Sequence, residues 1–122
     1  MIAADLPTTV LVILGGDVSP RTSKRVCTLA GPLTRLPGVG MLEGIECARN
    51  MVNGLVMLGE LRDGSWTAPT VAESIATTLR DRRRNFPTQC WGRASDAQID
   101  AVSAVAAAAW MRLERELARR AQ

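Results

Sequence analysis

Hydrophobic positions recur along this chain with a helical period in three places, and one stretch breaks the pattern. From Asp96 onward, Ile99, Val102, Ala106, Ala109, Leu113 and Leu117 follow one another every three to four residues, with Trp110 flanking them. That spacing puts them on one face of a helix and predicts it over about 96–120. Ser95 and Gln98 mark its start as a capping box, in which each side chain satisfies the other's free backbone N–H. The far end, Arg112 to Arg120, mixes both charge signs and reads as a solvated surface. A second stripe is Val71, Ile75 and Leu79, with Thr70 and Glu73 as its capping box. Its helix is expected to end near Arg84, because Pro87 follows and the residue before a proline disfavours the α region.

The third stripe is Met41, Ile45, Ala48, Val52 and Leu55, which predicts a helix over Met41–Leu61. Gly44, Gly54 and Gly59 interrupt it, each costing about 1 kcal/mol relative to alanine. They mark close helix crossings or are simply tolerated. The alternative is a strand over Gly54–Leu61 with Arg62-Asp63-Gly64-Ser65 as a hairpin turn. Between Ser19, a good N-cap followed by Pro20, and the stop signal Gly31-Pro32, a short basic helix is expected over about 20–30.

The exception is Thr8–Leu14, a β-branched and apolar run between Pro7 and Gly15-Gly16. It reads as a buried strand or an extended arm, the alternative being the first turns of a buried helix. As a strand it needs a partner for its backbone N–H and C=O groups, and no other segment offers a convincing one. Another copy of the chain, or a different chain, would then complete the ladder. The expected fold is mainly α, three to four helices with an N-terminal extended strand or arm. The alternative is α+β, with a small sheet completed by residues near 54–69. At 122 residues the chain reads as a single domain over 1–122, with 1–18 as the arm.

Composition changes this picture in two respects. Aromatics are only 3% of the chain, so the core must be aliphatic and alanine-rich, which favours closely packed helices. Net charge is +3, but the cations are clustered. Arg21, Lys24, Arg25 and Arg35 form one block without an acid among them; Arg80, Arg82, Arg83, Arg84 and Arg93 form the other. Lys24 is the only lysine. Arginine suits bidentate contact with phosphate or carboxylate, although an arginine-rich, lysine-poor chain also follows from genomic base composition.

Candidate chemistry is sparse. Histidine is absent, which removes Ser-His and Cys-His nucleophile pairs and the commonest transition-metal ligand. Cys27, Cys47 and Cys90 lack both an even count and a metal-binding spacing. They point to a reducing, cytoplasmic setting, with neither metal nor cofactor expected. Cys90, beside Trp91 and near arginines that would lower its pKa, is the candidate reactive thiol. The carboxylate pairs Glu43/Glu46 and Glu114/Glu116 read as solvated faces, and Gly15-Gly16 as a plain turn without a phosphate-loop signature. No signal peptide is visible, and the apolar run near the N-terminus is too short to span a bilayer. No catalytic residue is expected.

Two segments carry binding chemistry. In Leu33–Cys47, Leu33 and Leu36 precede Pro37-Gly38-Val39-Gly40, with Gly44 and Cys47 on the following helix. This resembles the helix-hairpin-helix motif of DNA-backbone-binding proteins. The resemblance implies that Gly38, Val39 and Gly40 contact a phosphate through the hairpin and the helix N-terminus. Arg21, Lys24 and Arg25 would add to that contact. The sequence departs from the motif at Met41 and Leu42, where a basic residue is usual. In Leu79–Arg93, Arg80, Arg82, Arg83, Arg84 and Arg93 are interleaved with Phe86 and Trp91. Arginine with tryptophan anchors protein interfaces, and a basic groove with aromatics binds nucleic acid. The expectation is a non-enzymatic, bacterial or phage-type adaptor, inhibitor or complex subunit acting through protein contact. The alternatives are a DNA- or RNA-backbone binder using residues 21–35 and 80–93, and a structural subunit that assembles with its own copies.

Overall fold

The computed structural model describes residues 5–16, 18–62 and 66–121, with Leu61 and Arg62 as backbone only. Its elements are α1 (Leu6–Leu14), α2 (Pro20–Leu33), α3 (Met41–Arg62), α4 (Ala68–Asn85), a short 3-10 turn at Cys90–Arg93, and α5 (Asp96–Arg120). The described residues are mainly helical and include no strand.

Thr8–Leu14 is therefore helix, not strand or extended arm. The physical reason stands at its start. Asp5 accepts the Thr8 N–H at 2.7 Å, Pro7 sits in the first turn where its missing N–H costs nothing, and Gly15 closes the end at φ +85°. With no partner strand to pair with, a helix satisfies its own backbone, and the modest helix penalty of β-branched residues is outweighed. Among the described residues this makes five α-helices against the three to four expected. Residues 1–4 and Asp17 of the expected arm lie outside the described residues.

Helix α2 starts as expected, with the Thr22 N–H donating to Ser19 Oγ at 3.2 Å. It does not stop at Gly31-Pro32 but continues to Leu33. Ending it earlier would lift the fully buried Leu33 off the core, where Leu29 lies on the same face. The exposed carbonyls are taken up locally: Thr34 N–H donates to the carbonyls of Ala30 and Gly31, and Thr34 Oγ1 to Gly31 at 2.6 Å. Leu36 to Val39 then forms a turn, closed by the Val39 N–H on the Leu36 carbonyl at 3.2 Å. Pro37 and Gly38 occupy its centre, and Gly38 has φ +74°, which a side chain would strain.

Helix α3 runs unbroken through Gly54–Leu61, so the strand of the α+β alternative is absent there; most of its hairpin turn, Arg62–Ser65, lies outside the described residues. Two of its glycines mark close approaches. A Cβ on Gly44 would lie 3.2 Å from Thr34 Cγ2 and 3.4 Å from the Ala30 carbonyl; one on Gly59 would meet the Trp66 ring at 3.0 Å. Gly54 faces open space and is merely tolerated.

Helix α4 begins three residues earlier than a Thr70/Glu73 box would place it. Thr67 is the N-cap, its N–H donates to Thr70 Oγ1 at 2.9 Å, and Pro69 lies in the first turn. A box at Thr70 would strand Ala68 and Pro69 outside a helix start that proline favours. Val71, Ile75 and Leu79 are buried as the stripe requires, and α4 ends at Asn85. The Ser95/Gln98 box of α5 forms, with Gln98 N–H to Ser95 Oγ at 3.1 Å and Ser95 N–H to Gln98 Oε1 at 2.8 Å.

The short turn at 34–40 makes α2 and α3 one hairpin, and residues 86–95 make α4 and α5 another. Contacts between α2 and α5 join the two hairpins, while α1 lies on α2 and touches α3. Trp110 does not flank this core but sits in it, 1% exposed, with the Arg25 guanidinium 5.8 Å from its ring centre. In a core this poor in aromatics, one indole supplies the largest apolar surface available for burial.

Candidate functional site

The arginine segment is placed by the end of α4, the 3-10 turn and the start of α5. Arg80 donates to Asp100 at 2.5 Å and approaches Asp96 at 3.4 Å; Arg83 donates to Asp96 at 2.7 Å and to the Ala94 carbonyl at 3.1 Å. Asp96 and Asp100 are one turn apart on α5, so both face α4. Arg84 pairs with Asp81 of its own helix at 3.2 Å. Arg82 lies over the Trp91 ring, 5.2 Å from its centre, and Trp91 is 4% exposed. These arginines thus join α4 to α5, and at the end of α4 they also complement the helix dipole. Hydrogen bonds from Arg83 and Arg80 hold the Asp96 carboxyl below the usual carboxylate range. Exposed to solvent, each pair stabilises the fold little on its own, yet together they occupy charges that a phosphate would need. Phe86, 44% exposed, faces out with Arg84 and Arg93, so the expected site is split between a clamp and a small outer remnant.

The other basic block is split as well. Arg25 makes a bidentate ion pair with Glu114, at 2.8 and 2.9 Å. That pair raises the Arg25 pKa and sets the first half of α2 beside the last half of α5. Arg21, Lys24 and Arg35 are in no ion pair among the described residues. The hairpin residues stand apart from Arg21, Lys24 and Arg25, at the other end of α2. Val39 is buried, Gly38 and Gly40 are exposed, and the Arg93 side chain lies beside Gly38. A Glu43 carboxylate oxygen lies 2.8 Å from where a Cβ on Gly40 would be, placing negative charge at the start of α3.

Burial raises the pKa of all three cysteines. Cys47 is pushed up to about 11; Cys90 is raised first by burial and then by Glu43, with Arg93 opposing only weakly. The expected lowering of Cys90 by its arginines is therefore reversed, because loss of water and the Glu43 charge outweigh the backbone hydrogen bonds and the Arg93 cation. Of the two acid pairs, Glu114 is engaged by Arg25, while Glu43, Glu46 and Glu116 are exposed. Among the described residues no cluster of His, Cys, Asp or Glu could hold a metal ion, and no helix is long and apolar enough to cross a membrane.

An apolar face that the sequence did not single out lies on α1. Val10 is fully buried, and Leu6 and Leu14 pack against the core. These three, at intervals of four, are the face α1 uses for its own fold. Leu11, Val12 and Ile13 point outward, Val12 at 78% exposure, and Ile13 lines an open groove with Leu42 of α3, itself 64% exposed.

Compared with family models, curated proteins and solved structures, the chain matches none.

The signal for this face was present in the sequence. A helix whose last five residues, Val10 to Leu14, are all apolar cannot bury every one of them at the edge of a small bundle. Read as a strand, the same residues alternate between two faces, and the outward three are not seen as a patch.

Proposed function

We propose that this chain is a non-enzymatic binding protein, an adaptor, inhibitor or complex subunit, that acts by protein–protein contact through α1 and the adjoining start of α3. The observation that carries this reading is the run Leu11-Val12-Ile13, exposed on a helix whose opposite face is already committed to the core. Contiguous apolar surface of this kind costs free energy in water and is typical of surfaces that a partner covers. The arginines at 80–84 support the reading indirectly, since their contacts to Asp96, Asp100 and Trp91 give them a structural role.

The test is capture of the tagged full chain from its native host, with and without nuclease, beside the variants Val12→Lys and Leu11→Lys. Both positions are exposed, so folding is expected to survive, as circular dichroism would verify. The expected result is a defined protein that survives nuclease and is lost with either variant. Undiminished capture by both variants would refute the reading.

A second reading, binding to the phosphate backbone of DNA or RNA, is favoured by one feature. The Arg25–Glu114 pair brings Arg21 and Lys24 of α2 to the same end of the bundle as Arg112, Arg115, Arg119 and Arg120 of α5. None of these six is in an ion pair among the described residues. Gly38, with Arg93 beside it, and Gly40, with the Glu43 carboxylate beside it, would be a separate contact at the other end. Binding of this kind weakens steeply with salt as counterions are released. Replacing Arg112, Arg115 and Arg119 together would flatten that dependence. No shift of duplex or single strand at low salt excludes this reading.

A further inference from the structure

We infer that the face formed by α1 and α3 is a seam for a second copy of this chain, packed about a two-fold axis that passes between Glu46 and Arg49. This rests on the protein-contact reading and names its partner. The groove beside α1 is lined by Ile13, Leu42, Glu46, Arg49, Asn50 and Asn53. Glu46 and Arg49 are exposed there, three residues apart on α3, yet they pair neither with each other nor with any other described residue.

Two-fold symmetry turns that pattern into complementarity. In an isologous contact, whatever residue i meets in residue j is repeated with the roles exchanged. Two α3 helices packed antiparallel with Glu46 opposite Arg49 of the second copy also place Arg49 opposite Glu46 of the second copy. One register thus satisfies both charges twice. It also sets Leu42 opposite Asn53 of the second copy, since the two positions are equally far from the axis in sequence. Because α1 flanks α3 on one side, a two-fold axis perpendicular to both α3 helices carries the two α1 helices to the same side of the seam. Ile13 of each chain, which lines the same groove as Leu42, then lies at the edge of the seam. Charge fixes the register, and Leu42 and Ile13, exposed in one chain, are covered at the seam.

Sedimentation across a concentration series, on the full chain, reads the result directly. A dimer is expected. Glu46→Arg alone and Arg49→Glu alone each place like charges together twice, and each is expected to weaken association about tenfold or more. The double variant exchanges the charges and is expected to restore it. A monomer at every concentration, or a double variant no better than the singles, overturns the inference. If the chain is monomeric while Val12→Lys still loses a captured protein, the second copy is refuted and the contact reading survives. If the chain is monomeric and Val12→Lys leaves capture unchanged, both fall.

Discussion

Ser103 lies on α5 with 1% of its surface exposed, and its hydroxyl makes no hydrogen bond among the described residues. It stands between Val102 and the small residues Ala106 and Ala107, all buried. A hydroxyl taken from water without a replacement partner costs about 1–3 kcal/mol by mutational measures. Ser103→Ala removes that cost and adds roughly 0.5 kcal/mol of helix propensity. Against this stands the lost packing of a single oxygen atom, a small term because an alanine differs by so little volume. The expected net gain is about 1–2 kcal/mol. For a domain of this size that corresponds to roughly 3–8 °C in melting temperature. Urea unfolding would show it as a midpoint moved upward at unchanged slope, which separates a stability change from a change in the unfolded state. A neutral or destabilising Ser103→Ala would mean that the hydroxyl is satisfied, and the packing argument for this stretch of α5 would be wrong.

Other outcomes follow from single contacts. Gly92 sits against the backbone of Pro87, where a Cβ would overlap the carbonyl oxygen; Gly92→Ala should destabilise by about 2 kcal/mol or more, since backbone cannot step aside cheaply, and a melting temperature within a degree of the parent would refute that. Asp96 has its pKa held below the ordinary 3.8 by Arg83 and Arg80, so the folded chain has released a proton that the unfolded chain still binds as pH falls. Its stabilisation is complete above about pH 4 and lost as pH drops through the lowered value, and Asp96→Asn should flatten the acid limb of a stability–pH curve. Cys47, with a pKa of about 11, should resist alkylation at pH 8, and Cys90 should react more slowly than a free thiol; rapid modification of Cys90 would contradict the burial that raises it.

The long periodic helices were legible in the sequence because burial of one face fixes both their period and their limits. Val71, Ile75 and Leu79 are all in the core, and α5 covers Asp96–Arg120 against an expected 96–120. Composition alone left Thr8–Leu14 open between strand and helix, and the helical alternative holds because its caps outweigh its β-branched residues. Asp5 and Pro7 are a helix start, and capping supplies about as much free energy as several residues of unfavourable propensity remove. Trp110 was placed at the edge of a stripe because periodicity locates a face but not which α5 residue meets α2. The arginine clamp was partly legible: Asp96 and Asp100 stand one turn apart just after a short connection, which places them opposite Arg80 and Arg83. The Arg25–Glu114 pair, 89 positions apart, depends on how the two hairpins dock and leaves no local trace.

The central claim is that this chain works by protein contact through α1 and the start of α3, while its densest run of arginines serves its own fold. A photoreactive phenylalanine analogue placed at Val12, and in a second sample at Arg84, tests it inside the native host. Irradiation should yield a discrete protein adduct from position 12, resistant to nuclease, and none from position 84. Adducts arising only from position 84, or adducts from either position that nuclease removes, would contradict it.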